Sequence, residues 1–241
     1  MTKHVLLDNN TYKDLKIINQ RSAQYGDNIP SVLTFPLEFR DIQTHYPICF
    51  SHNPENGSFH AVALLGFEDG ENLFLTANGW DATYIPLMIE RGPFLIGLSQ
   101  DQDETQSFIH FDADSPRVNT SEGESVFLEH GGNSPYLQRI SQILRSIHQG
   151  QAGSKAFFAQ LIEYDLIEPF VVEVTLKDGS YNKLQGFYTV NEEKLNALAV
   201  EKQAELIKSG CLPAIYMVIA SLANFKILIA KKNQQLAASK I

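Results

Sequence analysis

The stretch Ser134 to Gly150, SPYLQRISQILRSIHQG, is where this chain changes period. Leu137, Ile140, Ile143, Leu144 and Ile147 recur at i, i+3 and i+4 spacing, which places them on one stripe of a helix. Ser134 suits the cap and Pro135 the first helical position, where a missing N–H costs nothing. Upstream, the apolar residues come in short runs broken by Gly, Pro and Asp. Downstream, helical spacing dominates. The fold class that follows is α+β, with a β-rich N-terminal half of short strands and turns and a helical C-terminal half containing a β-hairpin. The composition shift sets regions at 1–134 and 135–241, and both fit within one integrated domain.

Working outward, Gly150 and Gly153 predict a stop, with a second helix over 154–165. Residues 169–176 and 184–190 read as strands around Asp178-Gly179, a hairpin signal. Asn191 is placed to cap a helix over 192–209 that Gly210 ends. In the first half, 1–28 is polar and predicts an irregular entry. Residues 59–67 and 72–76 are apolar runs that Asp69-Gly70 would join as a hairpin. A short helix is expected over 83–90 with Pro86 in its first turn. Strands are expected at 94–98, 107–111 and 125–128.

The chain has 241 residues, 44% apolar and 20% charged, enough to bury a core without metals or disulfides. Cys49 and Cys211 form no CxxC pair, and two buried free thiols are expected. The net charge of −9 argues against nucleic-acid binding, which needs clustered Lys and Arg. That charge is uneven, −12 over residues 1–136 and +3 over the rest. The N-terminus lacks the apolar stretch of a secretory signal, so a cytoplasmic location is expected, with surface association left open. Residues 211–230 are the most apolar, but they include Pro213, Ser221, Asn224 and Lys226. They read as a buried amphipathic helix, so no integral membrane segment is expected.

No motif names a reaction. His110, Asp112 and Asp114 alternate along a strand and would share a face. A His-x-Asp pair with His130 or His148 is the pattern of a non-haem iron centre, which makes His110 and Asp112 the weak metal candidates. Eight carboxylates between 101 and 129, Asp101, Asp103 and Glu104 among them, miss the glycine of a calcium loop, because Gln106 stands there. Cys49 has His45, His52 and His60 near it in sequence but alternates with apolar residues, as core cysteines do. Neither a Gly-x-Ser-x-Gly elbow nor a phosphate loop occurs, and no cofactor is expected. The segment from Gly79 to Pro86 holds the only Trp, followed by Arg91. Trp80, Asp81, Tyr84 and Arg91 are the candidate binding residues, because Trp, Tyr and Arg dominate binding hot spots.

Several segments together resemble the bacterial SapC-like family. They are Val32 to Phe39, Tyr46-Pro47-Ile48-Cys49-Phe50, Ala63-Leu64-Leu65-Gly66, Gly70 to Phe74, Trp80 to Pro86 and Arg91 to Phe94. In the second half, Phe158 to Leu161, Leu184 to Leu198 and the helix from Leu212 also fit. His110 and His130 depart from the family pattern, which weakens the iron reading. The family takes its name from a surface-layer-associated protein and has no agreed catalytic residues. A permease of the same name needs several spanning helices, which this chain lacks. The resemblance implies a non-catalytic accessory or binding protein linked to a surface, nutrient-uptake or halogenase-type gene system, with a protein partner or a homo-oligomer. The alternatives are a metal-dependent enzyme or its auxiliary, and a surface-layer structural protein.

Overall fold

The computed structural model describes residues 3–101 and 104–238, with side chains described outside 98–107. In chain order the strands are β1 (His4–Leu6), β2 (Lys16–Ile17), β3 (Ser31–Thr34), β4 (Ile48–Asn53), β5 (Ser58–Leu64), β6 (Leu75–Thr76), β7 (Gly79–Trp80), β8 (Phe94–Asp101), β9 (Glu104–Asp112), β10 (Val118–Asn119), β11 (Glu124–Ser125), β12 (Ile167–Thr175) and β13 (Tyr181–Val190). The helices are α1 (Phe39–Ile42), α2 (Leu87–Glu90), α3 (Pro135–Glu163), α4 (Glu192–Ala197), α5 (Val200–Lys208), α6 (Cys211–Ser221) and α7 (Phe225–Ala238). Strands concentrate before residue 134 and helices after it, with the β12–β13 hairpin among them, so the α+β class holds. The chain forms two compact units. The first comprises Met1–Asp27 and Leu87–Gln149, the second Asn28–Pro86 and Gly150–Ile241. Each takes residues from both sides of position 134.

In the first unit, β8 and β9 form a hairpin and β1 pairs with β9, matching His4 to Asp112 and Leu6 to His110. A smaller sheet has β2 between β10 and β11. The N-terminal segment is irregular over most of its length, as its polarity suggests, but it contributes β1 and β2. Its strands are too short to signal themselves and form only because partners about 100 residues later complete their hydrogen bonds. Ile17, Phe94, Phe111, Val126 and Ile140 are its most buried apolar residues. An ion network ties the two segments of this unit together. Asp27 faces Arg117 at 2.5 Å and Arg21 at 4.0 Å, and Arg21 reaches Glu90 at 3.0 Å. Arg117 also donates to the carbonyls of Ile18 and Gln20, and Arg21 to that of Ile89.

In the second unit, five antiparallel strands run β12-β13-β4-β5-β3. The turn after β4 is closed by Gly57 N–H on the Asn53 carbonyl at 2.8 Å. Hence β5 pairs with β4 and β3, and the hairpin expected at Asp69-Gly70 does not form. Glu68 to Glu71 does make a turn, with Gly70 at φ 75°. Residues 72–74 are not strand, and Leu75–Thr76 pairs with β7 and not back onto β5, while the Glu71 carboxylate closes the turn by accepting from Phe67 N–H at 2.8 Å. The Asp178-Gly179 hairpin forms as expected. Phe39, Phe50, Phe157 and Phe158 pack edge to face as the centre of this core.

Ser134 caps α3, its hydroxyl accepting from Leu137 N–H at 3.1 Å. The stop expected at Gly150 and Gly153 does not occur, and α3 runs unbroken for 29 residues. Gly150 is there for space, since a Cβ would lie 2.7 Å from Cγ and 2.8 Å from Cβ of Phe35. Gly153 meets nothing within 4 Å. Gly153→Ala is therefore expected to raise stability by about 0.5–1 kcal/mol. Gly150→Ala should lower it by about 1–3 kcal/mol, because overpacking against a buried ring outweighs the helix-propensity gain. Urea melts of the two variants, compared with the wild type, check the opposite signs. The helix expected over 192–209 is two helices, because Leu198 and Ala199 are extended (ψ 139° and 148°). Asn191 caps α4 as expected, accepting from Lys194 N–H at 2.8 Å.

Candidate functional site

The hairpin of β6 and β7 presents Trp80, and the loop after it carries Asp81 and Tyr84. All three belong to the second unit. The Trp80 indole N–H donates to the Tyr46 hydroxyl at 2.8 Å, and its ring stacks on Phe74 with centroids 6.3 Å apart. The Tyr46 hydroxyl donates to the Tyr84 carbonyl. The Tyr84 hydroxyl donates to Glu38 at 2.9 Å, and Thr34 donates to the other Glu38 oxygen at 2.8 Å. Asp81 pairs with Lys231 of α7, whose ammonium lies 4.8 Å from the Phe74 ring centroid. At the edge of this group His45 Nε2 and the Thr83 hydroxyl are 2.5 Å apart.

Two positions that sequence spacing does not connect are thus brought together. Tyr46 is fully buried and Glu38 nearly so, while Trp80 and Tyr84 are half-buried and Asp81 is exposed. Burial raises the Tyr46 pKa, and for Tyr84 burial and the charge of Glu38 act in the same direction. Both phenols stay protonated across the physiological range and act as donors. Tyr46 and Glu38 are missed from sequence because neither lies in a polar motif. The signal that could find Tyr46 is its Tyr-Pro-Ile setting in the family pattern.

Arg91 lies in the first unit, after α2. Its Nη1 donates to the Phe94 carbonyl at 2.5 Å, and burial lowers its pKa. His110 and Asp112 lie on β9, and the His110 ring covers Gly97, where a Cβ would meet it at 2.6 Å. Asp112 accepts from Asp114 N–H at 3.1 Å in a local turn. Among the described residues no three His, Cys, Asp or Glu side chains gather as a metal site. Of the acidic stretch, Asp103 lies outside the described residues, and the side chains of Asp101 and Glu104 are outside them too. Cys49 is fully buried and its thiol is pushed up to about 12 by that burial, which makes it a poor nucleophile.

The SapC family model matches residues 7–228. No curated protein and no solved structure matches the chain. The match takes in most of both units, with Glu38, Tyr46, Trp80 and Tyr84 among the matched residues, and on that extent the chain belongs to the SapC family.

Proposed function

We propose that this SapC-family protein is a non-catalytic accessory protein that holds a protein partner against the Trp80 shelf. The observation that carries the reading is the way the shelf is built. Trp80 is half-buried, stacked on Phe74 and pinned by Tyr46, so little side-chain freedom is lost when a partner covers it. Rigid, partly exposed aromatics with one polar end are the residues that dominate protein interfaces. Asp81 and Lys231 form a charged rim beside it. Arg91 braces its own turn in the other unit. Two free, buried thiols support a reducing, cytoplasmic setting.

A tagged pull-down from the host lysate at two salt concentrations tests this, with metal measured on the same eluate. A stoichiometric partner is expected, and Trp80→Ala should weaken it by about 30-fold, the loss typical of an interface hot spot. Trp80→Phe keeps the stack on Phe74 and should lose less. No partner, with about one iron or zinc per chain, would overturn the reading in favour of a metal-dependent enzyme.

A further inference from the structure

We propose that the outward face of α6 and α7 docks on an anionic lipid bilayer, with the helix lying in the plane of the interface. Cys211 to Ala238 is by length and composition apolar enough to cross a membrane, yet only 33% of its most apolar window is buried. A core helix of that composition would be mostly buried. The inward side, with Ala214, Ile215, Val218, Phe225 and Leu228, packs into the second unit. Between Pro213 and Ile227 the outward side presents Pro213, Tyr216, Ala220, Ala223 and Ile227 at helical spacing, with Lys226 beside the last of them, and beyond Ala230 the exposed residues of α7 turn polar at Gln234 and Gln235. Tyr216 is 52% exposed and Ile227 37%.

Insertion across the bilayer is opposed by the polar anchors of the inner face. Ser221 Oγ accepts from Ile48 N–H at 2.8 Å, and the Asn224 amide donates to the Gln43 carbonyl at 2.7 Å. Lys232 is buried against Glu71 at 2.6 Å. The helix is therefore held along its length and can offer only one side.

Charge selects the occupant. The last 36 residues hold five lysines and no Asp or Glu, in a chain of net charge −9. Lys231 and Lys232 are engaged in ion pairs, while Lys208, the last residue of α5, and Lys226, next to Ile227, are exposed and flank the apolar stripe in sequence. An apolar stripe flanked by lysines suits acyl chains beneath anionic headgroups, with Tyr216 at the headgroup level. A second copy of the chain would set these lysines against their own kind.

Co-sedimentation of the full chain with vesicles tests the proposal. Phosphatidylcholine vesicles containing phosphatidylglycerol are expected to take up the protein about tenfold better than phosphatidylcholine alone, and less as salt rises. The double variant Tyr216→Asp with Ile227→Asp should lose about tenfold of that uptake, and so should Lys208→Glu with Lys226→Glu. The melting temperatures should stay put, since all four side chains are exposed. Absence of uptake, equal uptake by neutral vesicles, or uptake unchanged in both variants overturns the proposal. So does self-association that Tyr216→Asp abolishes without any vesicle binding, which would give the face to a second copy.

Discussion

Asp27→Ala is expected to cost the first unit about 3–5 kcal/mol, the usual loss when one partner of a buried ion pair is removed. Asp27 is 6% exposed, and the Arg117 and Arg21 side chains beside it are 5% and 6% exposed. Burial already lowers the Arg21 pKa, with the Glu90 charge opposing that, Arg117 adding to it and Asp27 opposing it. Without Asp27 the two guanidinium groups repel each other out of water. The Ser22 N–H, now bonded to Asp27 at 2.8 Å, would lose its acceptor as well. Asp27→Asn keeps an acceptor for Ser22 and should fall between the wild type and Ala. Urea unfolding followed by far-UV circular dichroism checks the shift. The single tryptophan, Trp80, lies in the second unit, so its fluorescence reads that unit separately. A shift under about 1 kcal/mol would show that the network is not structural.

Lys232→Ala is expected to cost a comparable amount, about 3–5 kcal/mol, by leaving the Glu71 carboxylate buried without its cation. Lys232 is 6% exposed on α7 and bonds Glu71 at 2.6 Å and Glu68 at 3.3 Å. Pairing Lys232→Met with Glu71→Gln removes both charges and keeps the packing volume, so it should recover most of the loss. Burial alone would lower the Lys232 pKa, but the hydrogen bond and charge of Glu71, helped by Glu68, raise it. A raised lysine stabilises the fold fully below its unfolded value of about 10.4 and stops doing so as pH rises through the folded value. The gap between the wild type and Lys232→Ala should therefore be constant through neutral pH and narrow only in strong alkali. Thermal melts from pH 7 to the alkaline limit measure it.

The residues that were legible in the sequence are those whose structure is local. Ser134 and Asn191 cap the helices they precede, and Asp178-Gly179 turns the hairpin, because a cap or a two-residue turn is decided within a few positions. Gly150 misled because its cost to a helix is also local, whereas its reason, the Phe35 ring, lies more than 100 residues away. Asp69-Gly70 misled in the same way, since the turn forms but β5 is already paired on both edges. At the candidate site the aromatic residues Trp80 and Tyr84 stood out by type. Their supports, Tyr46 and Glu38, are 34 and 46 positions away, and only the folded chain shows that they meet.

The interleaving of the two units has a consequence for synthesis. β1 leaves the ribosome first, yet its register partners on β9 follow about 100 residues later, a wait of roughly 5–20 s at 5–20 residues per second. Through that time the first segment is an unpaired edge, while β3, β4 and β5 can already form a local three-stranded sheet with β5 in its centre. Neither unit is complete before α3 is made, and the second also needs β13, which pairs with β4 through Phe187 and Tyr188. A nascent chain stalled at residue 134 is thus a client for chaperones and proteases rather than a folded half. Truncations meant to isolate the β-rich region should yield aggregation instead of a smaller working protein.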